Sequence, residues 1–205
     1  MSIVKHIIDQ FPEGAVSLCE DLRTPLMLAA AEGIIPIITV LLTATRDTEY
    51  IHQKDLMGNT AVHYAAWFGH LLCVQYLIEK CGGNALMKNN EGMPPVHFAA
   101  AGNHSLIVEY LMGLETATGP LSLSSTGLNN LHRACMHGSL EAVEALVSKH
   151  SFDVSAKSVQ NGNTALHFAT LGGFKLVIKY LVTVGASVNA HNDLGLTALH
   201  LACIG

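Results

Sequence analysis

The chain has 205 residues, half of them apolar and 13% charged. That is material for one large domain or one continuous repeat array, and it excludes a disordered chain. A net charge of −5, with no basic cluster longer than a residue or two, excludes the basic stripe that nucleic-acid binding requires.

Taken in order, Met1 to Gln10 alternates charged and apolar residues and lacks the long apolar run of a signal peptide. Leu26 to Thr45 is nearly free of charge, but Glu32-Gly33 and Pro36 interrupt it. It therefore predicts two short helices rather than a membrane span, which needs about 20 uninterrupted apolar residues. From there the chain repeats itself. Thr60-Ala61-Val62-His63-Tyr64-Ala65-Ala66 returns with starts at Pro94, Asn129, Thr164 and Thr197, and a looser copy opens at Thr24. The steps between starts are 36, 34, 35, 35 and 33 residues.

Each start predicts a helix whose first residue caps orphan amides. Gly33, Gly69, Gly138 and Gly173, with Asn103 in the remaining place, predict a left-handed turn after it. A second apolar-periodic helix follows, as in Leu72, Val74, Tyr76, Leu77 and Ile78, or Leu176, Val177, Ile178, Tyr180 and Leu181. Another glycine stands two residues before most starts, at 58, 92, 127, 162 and 195, whereas the first copy has Leu22 there. Gly113 to Ser125, which contains Gly119-Pro120, predicts a polar, mobile loop.

The pattern resembles the ankyrin repeat, a Thr-Pro-Leu-His-x-Ala helix start in a period of about 33 residues. The resemblance covers nearly the whole chain. It implies an all-α fold, an ankyrin-repeat solenoid of stacked helix-turn-helix units with projecting loops and hairpins, forming a single array over 1–205. The units fall near 21–54, 55–88, 89–123, 124–158 and 159–191. They lie between a partial unit at 1–20, which reads as a second helix, and a truncated one at 192–205. Apolar Leu199, Leu201 and Ile204 sit at that last unit, so a longer protein or a covering chain is expected.

Twelve histidines invite a metal or catalytic reading. Five of them, His63, His97, His132, His167 and His200, hold one equivalent position a repeat apart, whereas a zinc site needs three or four convergent ligands. The resemblance gives them a structural task, bonding neighbouring loop backbone. The five cysteines are scattered, with no Cys-x-x-Cys pair, as in a reducing compartment. No nucleophile elbow or phosphate loop stands out. The expectation is therefore no enzyme activity, catalytic residue, metal or cofactor. Asn189, with Leu181 eight residues upstream, matches the pattern of ankyrin asparagines that can be hydroxylated; its plain reading is a turn asparagine.

The family's arrays resemble a cupped hand, with loop tips as fingers and first helices lining a palm. Carried onto this sequence, the partner-binding candidates at the fingers are Leu56, Met57, Asn59, Glu91, Met93 and Leu128. Those at the palm are Trp67, Phe68, Met136, His137 and Leu171. Trp67 is the chain's one tryptophan, and tryptophan is enriched at binding hot spots. The expected function is a protein-interaction scaffold, the recognition part of a larger protein that binds another protein or peptide. The alternative is a cis-regulatory region docking on a catalytic or membrane domain. The expected location is cytoplasmic, with the nucleus also compatible, and no direct membrane insertion of this segment is expected.

Overall fold

In a computed structural model, residues 2–45, 47–116 and 123–204 are described. They divide into two compact units, Met1–Pro95 and Val96–Gly205.

The first unit opens with helix α1 (Ser2–Gln10) and a 3-10 turn (Pro12–Val16), both packed against α3. Helices α2 (Pro25–Ala31) and α3 (Ile35–Thr45) form one antiparallel pair, and α4 (Ala61–Trp67) and α5 (Leu71–Glu79) the next. The first helices of the pairs, α2 and α4, lie side by side. Each is seven residues long and buries adjacent alanines completely: Ala30 in one, Ala65 and Ala66 in the other. A bulkier residue there would force the helices apart. The charge-poor stretch from Leu26 thus folds as the expected pair of short helices. Among the described residues no helix is long and apolar enough to cross a membrane.

The second unit repeats this plan with α6 (Pro95–Ala101) and α7 (Ser105–Thr116), α8 (Asn130–Met136) and α9 (Leu140–Ser148), α10 (Ala165–Leu171) and α11 (Lys175–Thr183), then α12 (Ala198–Ala202). First helices α8, α10 and α12 stack in one row, and second helices α7, α9 and α11 in another. No strand forms among the described residues; one isolated bridge joins Lys157 and Thr164.

Two sequence readings are corrected. The loop expected from Gly113 begins later, because α7 continues to Thr116; Gly119-Pro120 lies outside the described residues. Leu72 and Leu176, expected on buried helix faces, are exposed. They occupy the first turn of α5 and α11, and the stacking face begins one residue later with Cys73 and Val177.

The turns between paired helices stack through side chains. Gly33 has φ +68°, and a Cβ there would come within 2.6 Å of the His70 ring. His70 Nε2 in turn donates to the Ala31 carbonyl at 2.8 Å. In the second unit Gly138, φ +72°, leaves the same room for Phe174. Leu22 adopts φ +60°, so the left-handed turn persists where glycine is missing, at a steric cost to an L-residue.

All five cysteines are free; Cys73 and Cys135 are buried, Cys19 and Cys203 exposed. Burial pushes the Cys73 thiol up to about 12 and raises Cys135 as well. A maleimide at neutral pH is therefore expected to label Cys19 and Cys203 in the native protein, and Cys73 and Cys135 only after unfolding. Rapid native labelling of Cys135 would contradict this packing.

Candidate functional site

The recurring histidines link helix starts to loops. At the start of α4 the Thr60 amide donates to His63 Nδ1 at 3.0 Å, and the Thr60 hydroxyl lies 2.9 Å from the same nitrogen. An Nδ1 that accepts an amide proton must be unprotonated, so the neutral ring carries its proton on Nε2. Nε2 donates to the Met93 carbonyl at 3.1 Å. One ring thus caps its own helix and holds the loop ahead. In the second unit His97 reaches the Leu128 carbonyl at 3.1 Å, His132 that of Ala156 at 3.0 Å, and His167 that of Leu196 at 3.0 Å. The loop-binding task implied by the resemblance is the one these rings perform. Met27, the odd residue of the series, keeps only the backward half, its sulfur lying 3.5 Å from the Thr24 amide.

His132→Ala is expected to destabilise the fold by about 1–3 kcal/mol in urea unfolding, because the buried ring is removed and the half-buried Ala156 carbonyl and Asn129 amide lose their partner. An unchanged midpoint would mean that the ring carries no load. Among the described residues no group of three or more His, Cys, Asp or Glu side chains could hold a metal ion.

The finger turns rest on residues that the sequence reading passed over. Asp55 Oδ1 accepts from the amides of Met57 (2.9 Å) and Asn59 (2.7 Å). Asn89 Oδ1 does the same for Glu91 and Met93, and Asn192 Oδ1 for Leu194 and Leu196. In a fourth turn Ser124 Oγ accepts from Leu128. The signal was available: each of these side chains stands five residues before a helix start. Ser158, six before Thr164, closes a turn that is one residue longer.

In the first unit successive turns join edge to edge. Leu56 donates its amide to Asp21, Asn90 donates its own to Met57, and Asn89 Nδ2 donates to Asn59 Oδ1 at 3.0 Å. Leu56 and Met57 are therefore held outward at the tip, both exposed. Asn59 is half-buried and bonded to Asp55 and Asn89; Glu91 is exposed. Trp67 ends α4 and Phe68 caps it, with 39% and 52% of their surfaces open to solvent. Ala31 ends the adjacent α2, with Glu32 as its C-cap.

Met93 and Leu128 depart from the expectation. Their side chains are buried, at 9% and 7% exposure, because each is the turn's last residue and its carbonyl must meet the incoming histidine. They support the fingers rather than form their surface. In the second unit Leu171 and His137 are exposed and Met136 half-buried, at the ends of α10 and α8.

The family profile described as ankyrin repeats, three copies, matches residues 1–88, 73–158 and 131–205. Rabankyrin-5 of Homo sapiens is 28% identical over 169 residues, 82% of this chain and 14% of that protein. The human transient receptor potential cation channel subfamily A member 1 is 29% identical over 187 residues, 90% of this chain and 13% of that protein. NF-kappa-B inhibitor alpha of Mus musculus is 38% identical over 68 residues, 31% of this chain and 22% of that protein. The chain thus spans a small part of the length of these relatives. Repeat spacing, stacked helix pairs, the histidine link and the match along the full sequence agree: the chain belongs to the ankyrin-repeat family.

Proposed function

We propose that the chain is a protein-recognition module of a larger protein, gripping a peptide or loop with the exposed ends of its first helices and the finger tips. The observation that carries this reading is the Trp67-Phe68 pair. Both aromatics stand half-open to solvent at the end of a helix whose other residues are mostly buried. Large aromatics left exposed on a rigid element offer contact area at little entropic cost. Leu56, Met57 and Glu91 extend the surface at the fingers. Met136, His137 and Leu171 give its counterpart in the second unit.

Trp67→Ala is expected to weaken a partner isolated by pull-down by about 2 kcal/mol or more, roughly thirtyfold, with circular dichroism unchanged. Unaltered affinity would remove Trp67 from the surface, and loss of helical signal would make it a packing residue. Leu72→Ala, also exposed but on a second helix, serves as the control that leaves affinity unchanged.

A second reading draws on the likeness to a channel protein over 90% of this chain. In this reading the same surface of this chain docks in cis on another domain of a longer chain. In that case Trp67 is shielded in the longer protein, and its fluorescence does not respond to a peptide that shifts it here.

A further inference from the structure

The finger built on Asp55 differs from the others in what its turn-forming side chain meets. Asp55 brings a carboxylate, where Asn89, Ser124, Ser158 and Asn192 bring neutral groups. Nine residues on, Tyr64 brings a hydroxyl to a place held in the other copies by Leu28, Phe98, Arg133, Phe168 and Leu201. These two departures from the repeat meet each other: the Tyr64 hydroxyl donates to Asp55 Oδ2 at 2.8 Å. The turn loses nothing by it, because Asp55 Oδ1 still accepts from the Met57 and Asn59 amides. The donor is a lasting one. Burial, with the Asp55 carboxylate adding to it, holds the Tyr64 phenol above its usual range, so the proton stays on the hydroxyl.

The bond also has a direction of its own. The Leu56 amide donates to the Asp21 carbonyl, and the Asn90 amide to that of Met57, both at 3.0 Å. Those bonds run from one finger to the next. The Tyr64 bond runs from finger to palm, because Tyr64 lies on α4 and its carbonyl accepts the Phe68 amide at 3.1 Å. Asp55 binds the tip at the Met57 amide, and Tyr64 stands one helical turn before Phe68. One side-chain bond therefore joins the exposed Leu56-Met57 tip to the helix end that carries Trp67-Phe68.

Resting on the recognition reading above, we infer that Tyr64 is a positioning residue: its hydroxyl fixes the Leu56-Met57 tip relative to Trp67-Phe68, so that one partner segment engages both. A surface ordered beforehand loses less entropy on binding. Removing the hydroxyl leaves every contact residue in place and frees their spacing.

The test is Tyr64→Phe, verified as folded by circular dichroism. Phenylalanine already fills the equivalent place at 98 and 168, so its ring suits the repeat. The probes are peptides selected from a displayed random library on the immobilised 205-residue chain, kept when Trp67→Ala and Leu56→Ala/Met57→Ala each weaken them. Tyr64→Phe is expected to weaken these peptides about fivefold, mainly through faster dissociation, and to speed hydrogen exchange at the Met57 and Asn59 amides. In the Leu56→Ala/Met57→Ala background the same change is expected to cost less than about twofold, since the tip no longer contributes. A merely structural role would lower affinity alike in both backgrounds. Equal losses in the two, or parental affinity in Tyr64→Phe, would overturn the positioning role and leave the surface standing. Peptides that need Trp67 but never the tip would overturn it as well. If no retained peptide depends on Trp67, the recognition reading fails and this inference fails with it.

Discussion

Lowering the pH from 7 towards 4 is expected to remove about 3 kcal/mol of stability through His63 alone. Burial depresses this imidazole to about 4, with bonds to backbone carbonyls only partly offsetting the desolvation. In the unfolded chain it titrates near 6.5. Between those values the unfolded state binds a proton that the native state refuses, so stability falls with pH. The contribution is complete above about pH 6.5 and is lost as pH falls through the folded value. The structural reason is the direction of the bonds. Nδ1 receives the Thr60 amide, and a proton placed there would face another donor.

His132, depressed by burial in the same sense, adds to the slope. The decisive interval is pH 6.5 to 5, where His63 contributes about 2 kcal/mol before exposed carboxylates titrate. His63→Met, with the residue found naturally at position 27, should flatten this interval. Urea midpoints in both proteins at three pH values provide the measurement. A parent curve as flat as the variant's would mean that the ring protonates in place.

The repeat made most of the fold legible, because its signals are local and redundant. Helix starts, turns and first helices fell where Thr60, Gly69 and Ala65-Ala66 put them, each fixed by a capping, dihedral or packing demand that few residues meet. The second helices were less legible. Apolar residues wrap around much of their circumference, so periodicity alone could not exclude Leu72 and Leu176 from the buried face. Leu22 shows the opposite case: the turn kept its left-handed backbone without glycine, because the surrounding repeat dictates the path.

At the candidate site, side-chain class misled for Met93 and Leu128. A methionine or leucine at a loop tip reads as surface, yet both are drawn inward by the bond that their own carbonyls make to a histidine about 30 residues back. That bond is tertiary, and no local window contains both its ends. The turn-forming Asp55, Asn89 and Asn192 were passed over for the complementary reason. Their work is done on backbone amides, and their common distance from the helix starts is visible only once the turns are aligned.

Asp55→Ala is expected to destabilise the protein by about 3–4 kcal/mol. The carboxylate is nearly buried, at 8% exposure, and it accepts four bonds. Besides the two turn amides, Asn59 Nδ2 donates to it at 3.1 Å and the Tyr64 hydroxyl at 2.8 Å. Truncation leaves all four donors unmatched in a place that water reaches poorly, and bonds to an ionised acceptor are the costly ones to lose. Asp55→Asn should cost far less, about 1 kcal/mol, because asparagine forms the equivalent turns at Asn89 and Asn192. Its residual cost has a specific origin. The new amide would confront Asn59 Nδ2, donor against donor, whereas at the two natural asparagine turns the fifth residue is Met93 or Leu196 and brings no donor. Asp55→Asn with Asn59→Leu should therefore recover part of the loss, with any remaining deficit set by the bond from Asn89 Nδ2 that Asn59 also receives. Urea midpoints of the four proteins decide the matter. If alanine and asparagine at position 55 behave alike, the two turn amides do not depend on the side chain, and the fingers are held by the backbone ladder alone.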